Sequence, residues 1–316
     1  MYRDLAIFSG NAHPELAESV CNYLGVELGR ADVFEFSNEN IFVRINQNVR
    51  EHDVFVIQPT CAPVNKSLME LFIMLDALKR ASARRVTAVI PYFSYGRSDK
   101  KDQPRVPITA RLLADLIQAA GADRVLTIDL HAGQIQGFFK IPVDELTAVY
   151  LLCDYFRGLG LDDPVVVSAD IGFAKKARNF AELLHAPLAI VEKRREVYDG
   201  NVESLRLIGD VKGRTALIVD DEVDTARSLV GAIQVCHEYG AEKVYASAVH
   251  SVLSDMAVQR LSEAKLEEYV TTDTIPITAD RRMGQTRVIS VAVLLGEAIS
   301  RIHTGGSVGA LFGAAV

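Results

Sequence analysis

The sequence predicts an α/β protein built on parallel strands, and three observations carry that prediction. Short apolar runs rich in β-branched residues recur along the chain, and most lead into a segment with helical spacing of its apolar positions. Three of these runs end in acids: residues 125–128 lead to Asp129 and His131, residues 165–169 to Asp170, and residues 215–219 to Asp220, Asp221, Glu222 and Asp224. The two halves share one strand–helix rhythm, as a duplicated domain would, although no residue-level repeat accompanies it. Strands that are apolar almost throughout belong to parallel sheets buried on both faces.

Taken in order, residues 5–9 read as a first strand and 14–24 as a helix, with Pro14 in the first turn, where a missing N–H costs little. Residues 33–36 and 41–45 alternate like a half-exposed hairpin around Ser37, Asn38, Glu39 and Asn40. Residues 53–58 form a buried strand. The helix expected over 64–81 has a core stripe of Leu68, Leu71, Phe72, Leu75 and Leu78, and a second apolar face of Met69, Ile73 and Met74. Such a helix is either deeply buried or meets another subunit. A strand at 86–90 empties into a loop at 91–105 that mixes aromatics, bases and acids. Residues 108–120 form a helix closed by Gly121, and the strand reaching Asp129 and His131 is followed by a glycine-containing loop to Lys140. A domain boundary falls around 143–147. Helix 147–159, strand 165–168, helix 172–184 and strand 188–191 then lead to residues 192–201, which are polar, aperiodic and read as a mobile loop. Strand 205–209, the acidic strand, a helix from Leu229, strand 243–249, helix 255–264, strand 268–272 and a last helix 291–302 complete the alternation. The tail at 305–309 is flexible in composition.

A chain of 316 residues with 49% hydrophobic content is long enough for two ordinary domains with full cores. A net charge of −7 and a pI near 5.6 argue against attachment to nucleic acid by bulk charge. Cys21, Cys61, Cys153 and Cys236 are far apart and form no CxxC pair, so neither a zinc site nor a disulfide framework is expected. No run approaches transmembrane length, and the start lacks the apolar core of a signal peptide. The expectation is a soluble cytoplasmic protein with no nucleic-acid and no membrane partner. The patterns GxxxxGK[ST], GxGxxG, HExxH and GxSxG are absent, so any use of ATP runs by other means.

The stretch around Asp220 is the best candidate for a site. A strand, an acidic tip, and a turn of small and hydroxyl residues (Thr225, Ala226, Ser228) entering a helix is where α/β proteins hold phosphates and sugar hydroxyls. An acidic surface turn capping a helix fits the same residues. Carboxylates gathered on one sheet edge suit Mg²⁺ and ribose diols, though each alone is also an ordinary strand-end turn. In the 91–105 loop, aromatics can stack on a nucleobase and Arg and Lys can bind a polyphosphate; a solvated charged loop over packed aromatics is the alternative. Lys193, Arg194 and Arg195 can clamp a transferring phosphoryl group, or form a solvated strand end. His131 is either a packed histidine or, beside Asp129 at a strand tip, a ligand.

With these stretches in place, the chain resembles the ribose-phosphate diphosphokinase family, the synthetases of phosphoribosyl diphosphate, nearly end to end. The carriers are Phe8-Ser9-Gly10-Asn11, Phe36-Ser37-Asn38, Met69-Glu70-Leu71, Ile90-Pro91-Tyr92-Phe93 and residues 95–101. Further on they are Asp129-Leu130-His131-Ala132, residues 134–139, Lys193-Arg194-Arg195, Val219-Asp220-Asp221 with Asp224-Thr225, and Arg301-Ile302-His303. The resemblance implies two phosphoribosyltransferase-like domains, each a mostly parallel sheet flanked by helices, over 1–146 and 147–302, with the tail 303–316 packed back on the first. It implies a homo-oligomer, a hexamer built from dimers. The implied reaction moves the β,γ-diphosphoryl group of ATP to the 1-hydroxyl of ribose 5-phosphate, with Mg²⁺ as cofactor.

Carried over by position, Asp220, Asp221, Asp224, Thr225, Ala226, Arg227 and Ser228 would hold ribose 5-phosphate, and His131 and Asp170 would ligate Mg²⁺. Phe36, Asn38, Arg97, Asp99 and Asp102 would serve ATP, the first two contributed by a neighbouring subunit. Lys193 and Arg195 would close over the diphosphoryl group, and Arg50 and Ser307 would belong to a regulatory phosphate site. The match departs at Asn40, Asn48, Ser98, Phe173 and Arg227, the last standing where the family's 5-phosphate loop has glycine. Those departures motivate an alternative, a non-catalytic regulatory paralogue that assembles with an active synthetase. Retention of Lys193, Arg195, His131 and Asp220 argues for the active enzyme. A transferase that consumes phosphoribosyl diphosphate would explain the acidic tip but not the ATP-side stretches.

Overall fold

The computed structural model describes residues 4–195 and 203–311. The first part of the chain runs β1 (Leu5–Ser9), α1 (Pro14–Leu24), β2 (Ala31–Glu35), β3 (Ile41–Ile45), β4 (Asp53–Ile57), α2 (Val64–Arg80), β5 (Arg85–Ile90), α3 (Thr109–Ala119), β6 (Arg124–Ile128) and β7 (Val143–Leu146). It continues with α4 (Val149–Leu159), β8 (Pro164–Ser168), α5 (Ala174–Leu184), β9 (Leu188–Arg195), β10 (Glu203–Ile208), β11 (Thr215–Val223), α6 (Arg227–Glu238), β12 (Lys243–Ser251), α7 (Ala257–Glu263), β13 (Glu268–Thr272), β14 (Thr286–Ile289) and α8 (Ala292–Thr304).

These strands form two large sheets. The first has the order β1-β4-β5-β6-β7 and is parallel throughout. The second has the order β10-β9-β8-β11-β12-β13-β14, with only β10 antiparallel to its neighbour β9. The β2–β3 hairpin stands apart as a two-stranded ribbon. Parallel strands need helical crossovers, and the helices cover both faces of each sheet, which is why β4 is buried at all five positions.

Three apolar layers result. Leu68, Leu71, Leu75 and Leu78 of α2 and Leu113 and Ile117 of α3 pack on one face of the first sheet. Leu229 and Ile233 of α6 and Leu261 of α7 cover one face of the second. Between the sheets, α1, α4, α5 and α8 share one continuous core, with Ile7 and Ile57 on one side and Leu217 and Val219 on the other. The end of α8 is tied to the first sheet. Asp53, fully buried, accepts from Arg85 Nε at 2.7 Å and His303 Nδ1 at 2.9 Å, while Arg85 Nη2 donates to the Ile302 carbonyl at 2.9 Å. Leu311 is buried in the same central core. Among the described residues no helix is long and apolar enough to cross a membrane.

Several expectations are corrected. Residues 192–195, read as the start of a mobile loop, are the end of β9, because β10 pairs with them and satisfies their backbone; residues 196–201 lie outside the described residues. The acidic strand does not stop at Val219 but runs to Val223, since β12 pairs alongside it as far as Ser251. Two strands without a sequence signal also appear, β7 and β14; both are four-residue edge strands, too short for a periodic pattern. Met74 belongs to the core stripe of α2 and is fully buried, leaving Met69 exposed.

Candidate active site

Parallel strands present the ends of their backbones, and the turns after them, along one edge of the sheet. Here the carboxyl ends of the two sheets face each other. His250 on β12 makes the junction: it is 3% exposed, its Nε2 donates to the carbonyls of Ile128 (3.2 Å) and Asp129 (3.1 Å) at the end of β6, and its Nδ1 accepts from Thr274 Oγ1 at 2.9 Å. Burial pushes the imidazole down to about 4, so it is neutral.

A cavity opens beside this junction, lined from one side by Arg97 and His131 and from the other by Asp170 and residues 220–229. The register of β11 explains its acidity. Asp220 and Asp221 lie within the strand, opposite or beside Ala248 of β12, and Glu222 pairs with His250. The chain then turns through Asp224 and Thr225 to Ala226, whose φ of 59° is left-handed, and enters α6 at Arg227. That reversal brings the amides of 225–228 and the helix N-terminus to the cavity, an arrangement suited to a phosphate. The opposing turn is built the same way: Asp129 takes φ 42°, and its carboxylate accepts from the Ala148 amide at 2.7 Å.

The charges are arranged in pairs. His131 Nδ1 donates to Asp221 Oδ2 at 2.9 Å, and Lys176 Nζ lies 3.7 Å from the same oxygen while donating to the Leu130 carbonyl at 2.7 Å. Arg97 reaches across from the first half, 3.4 Å from Glu222 Oε1 and 3.8 Å from Asp224 Oδ2. Lys193 Nζ donates to Ser228 Oγ at 3.2 Å, so the basic end of β9 touches the start of α6.

Burial alone would raise Asp221, but the His131 bond and Lys176 outweigh it and keep this carboxylate ionised. Its neighbour Asp220 is driven well above the carboxylate range by burial and then by Asp221 and Asp170. Glu222 is also raised, chiefly by burial, and His131 is raised by its bond to Asp221. A buried carboxyl pushed up by like charges is one that a cation or a hydroxyl donor would stabilise.

Of the residues singled out from sequence, the structure gathers Arg97, His131, Asp170, Asp220, Asp221, Asp224, Thr225, Ala226, Arg227 and Ser228 around the cavity, with Lys193 in contact. Arg195 closes β9, and its side chain lies outside the described residues. Others are not brought there within one chain. Phe36 and Asn38 sit at the exposed tip of the β2–β3 hairpin, Phe36 in an aromatic cluster with Phe34 (5.1 Å) and Phe42 (5.9 Å). Asp99 is buried and bonded to Gln134, and Asp102 is exposed. Arg50 and Ser307 are exposed and outside the cavity lining. Sequence reasoning missed Lys176 and the connection between β12 and α7. Lys176 is one of several charges on α5 with no local mark of its role. Ser254 and Arg260 bond to Asp224 and Thr225 of the turn from about 30 residues away, a distance no motif spans.

Comparison with known proteins fits this geometry. Residues 5–121 match the family described as the N-terminal domain of ribose phosphate pyrophosphokinase, and residues 200–313 match the phosphoribosyl synthetase-associated domain. A ribose-phosphate pyrophosphokinase of Caldanaerobacter subterraneus is 53% identical over 98% of both chains. The chloroplastic ribose-phosphate pyrophosphokinase 2 of Arabidopsis thaliana is 48% identical over 98% of this chain and 78% of its own. The crystal structure of phosphoribosylpyrophosphate synthetase from Mycobacterium smegmatis superposes with a TM-score of 0.91 at 45% identity, covering 96% of this chain and all of that one. The chain belongs to the ribose-phosphate pyrophosphokinase family.

Proposed function

We propose that this protein is an active ribose-phosphate diphosphokinase that transfers the β,γ-diphosphoryl group of ATP to the 1-hydroxyl of ribose 5-phosphate, releasing AMP. The observation that carries the reading is the meeting of the acidic end of β11 and its following turn with Arg97 and His131 in one cavity, with Lys193 bonded to Ser228 of that lining. Asp220, Asp221 and Asp224 would accept the ribose hydroxyls, and the amides of 225–228 with the Ser228 hydroxyl would take the 5-phosphate. Ionised Asp221 is held in place by His131 and Lys176, so this acceptor is oriented before a ligand binds. Arg97, Asp99 and Asp102 would serve ATP, together with Phe36 and Asn38 from a neighbouring copy. The exposure of that hairpin tip supports a role outside its own chain. A division of the chain into two domains near residue 146 would assign one sheet to each, and the packing of α8 back toward the first sheet supports that reading.

Diphosphoryl transfer asks for positioning and charge neutralisation more than for covalent chemistry. Lys193, bonded to Ser228, would neutralise charge on the migrating group, and Arg195 ends the same strand. Mg²⁺ fits the donors present, since it is ordinarily held by one or two protein ligands with substrate phosphates and water. Asp170 would supply a carboxylate, and His131, its Nδ1 committed to Asp221, would offer Nε2. When bound, the ion would supply electrostatic neutralisation of the phosphates.

Assembly into a hexamer built from dimers is part of this reading. It is supported by large apolar side chains left exposed, notably Leu112 and Leu116 on α3 and Met69 on α2. Four cysteines, all free and buried, are consistent with work in a reducing cytoplasm. The test is consumption of ATP by the purified protein with Mg²⁺, with and without ribose 5-phosphate. Turnover that requires the sugar phosphate is expected; equal consumption without it would overturn the reading.

A further inference from the structure

Arg227 is the first residue of α6 and lines the same cavity as Thr225 and Ser228. Its guanidinium is directed out of the turn: Nη2 lies 3.9 Å from Asp255 Oδ2, with side chains 73% and 50% exposed. An exposed pair at that separation contributes little. Asp255 also has a closer partner, since Arg260 Nη2 donates to the same oxygen at 3.0 Å.

Arg260 has a second task. Its Nη1 donates to the Thr225 carbonyl at 2.8 Å, bracing the phosphate turn from behind. Ser254 adds to the brace: its amide donates to the Asp224 carbonyl at 3.1 Å and its hydroxyl to the Asp224 carboxylate. Asp255 sits between them at φ 54°, a left-handed conformation that costs energy for a residue with a Cβ. The turn is therefore held by Arg260 and Ser254 without help from Arg227. If Arg227 leaves, Asp255 keeps a cation and the brace stays intact.

We propose that Arg227 is an exchangeable phosphate-binding residue: held loosely on Asp255 in this structure, it transfers its guanidinium to the terminal phosphate of the bound sugar phosphate, and Asp255 thereby sets how tightly that phosphate is held. The proposal rests on reading the cavity as the ribose 5-phosphate site. A phosphate monoester dianion offers a guanidinium two charge-assisted acceptors at once, a stronger match than a carboxylate at 3.9 Å. No covalent bond changes. The two partners then act with opposite sign, Arg227 promoting sugar-phosphate binding and Asp255 competing for the same cation.

The experiment compares the full-length wild type with R227Q, R227K, D255N and the R227Q/D255N double variant. Ribose 5-phosphate affinity is read by titration calorimetry, and its KM and kcat by AMP release. Arg227→Gln weakens binding about tenfold, the size of one lost charge-assisted bond, with kcat within about threefold. Arg227→Lys recovers most of that loss. Asp255→Asn tightens binding about threefold alone and has no effect in the Arg227→Gln background. Unchanged affinity in Arg227→Gln overturns the proposal, as does an Asp255→Asn that weakens binding equally in both backgrounds, which would make Asp255 only part of the brace. The outcome stays separable from the reaction reading: wild type that binds ribose 5-phosphate but releases no AMP contradicts diphosphoryl transfer while the Arg227 comparison still stands.

Discussion

His131, at the tip of the first sheet, and Asp221, inside β11 of the second, are joined by a 2.9 Å hydrogen bond. The floor of the cavity is thus shared by both halves of the chain. The same junction carries the buried His250 contacts to the carbonyls of Ile128 and Asp129.

Removing His131 separates orientation from folding. His131→Ala deletes a side chain that is 40% exposed, so no large cavity forms. It frees Asp221 from its fixed geometry and removes a ligand assigned to Mg²⁺. AMP release should fall about 100-fold, the upper range for loss of such a group, with a melting temperature within a few degrees of wild type. Activity within threefold of wild type would exclude the role.

Lys193 tests the transferring group. Its side chain is exposed and contacts Ser228 Oγ at 3.2 Å. Lys193→Ala should lower kcat about 100- to 1000-fold, as loss of one preorganised transition-state donor does, while thermal unfolding by circular dichroism stays unchanged. A mutant with raised KM and intact kcat would assign Lys193 to binding alone.

The pH dependence of stability should carry the mark of His250. Its folded value, about 4, lies below the ordinary histidine value of 6.5, because burial disfavours the imidazolium. Between those values the unfolded chain binds more protons, so stability is complete above about pH 6.5 and is lost as pH falls toward 4. The loss is on the order of 3 kcal/mol. Raised carboxyls such as Asp129 and Glu145 work in the opposite sense, so the informative quantity is the difference between wild type and His250→Asn in urea denaturation across that window. Parallel curves would contradict the assignment.

The tie between α8 and the first sheet is the fourth test. Arg85→Ala leaves the buried Asp53 without its guanidinium partner and removes the bond to the Ile302 carbonyl. The cost should be about 3 kcal/mol, somewhat reduced from the buried-pair range because Arg85 is partly exposed. Urea denaturation measures it; a loss below about 1 kcal/mol would show that the α1–α8 packing holds the helix without the ion pair.

The parts of this architecture that were legible before the structure are those with a local signal. Buried strands such as residues 53–57 and 215–219 announce themselves by β-branching, and the acids and hydroxyls of 220–228 by their position after one of them. What was not legible depends on distant partners. Glu192, Lys193 and Arg195 look like loop because they are polar, and only pairing with β10 makes them strand. The reach of Arg97 to Glu222, the placement of Lys176 beside Asp221 and the support of Thr225 by Arg260 join residues that no periodicity relates. Resemblance named several site positions, but the placement of Arg227 near Asp255 joins residues that no local pattern relates.

The most direct test of the central claim is the identity of the products. Purified protein with ATP, Mg²⁺ and ribose 5-phosphate, followed by phosphorus NMR, should show AMP and a diphosphate ester at the sugar's 1-position accumulating in equal amounts. Formation of ADP with a singly phosphorylated sugar carbon, or no change in the spectrum, would contradict diphosphoryl transfer.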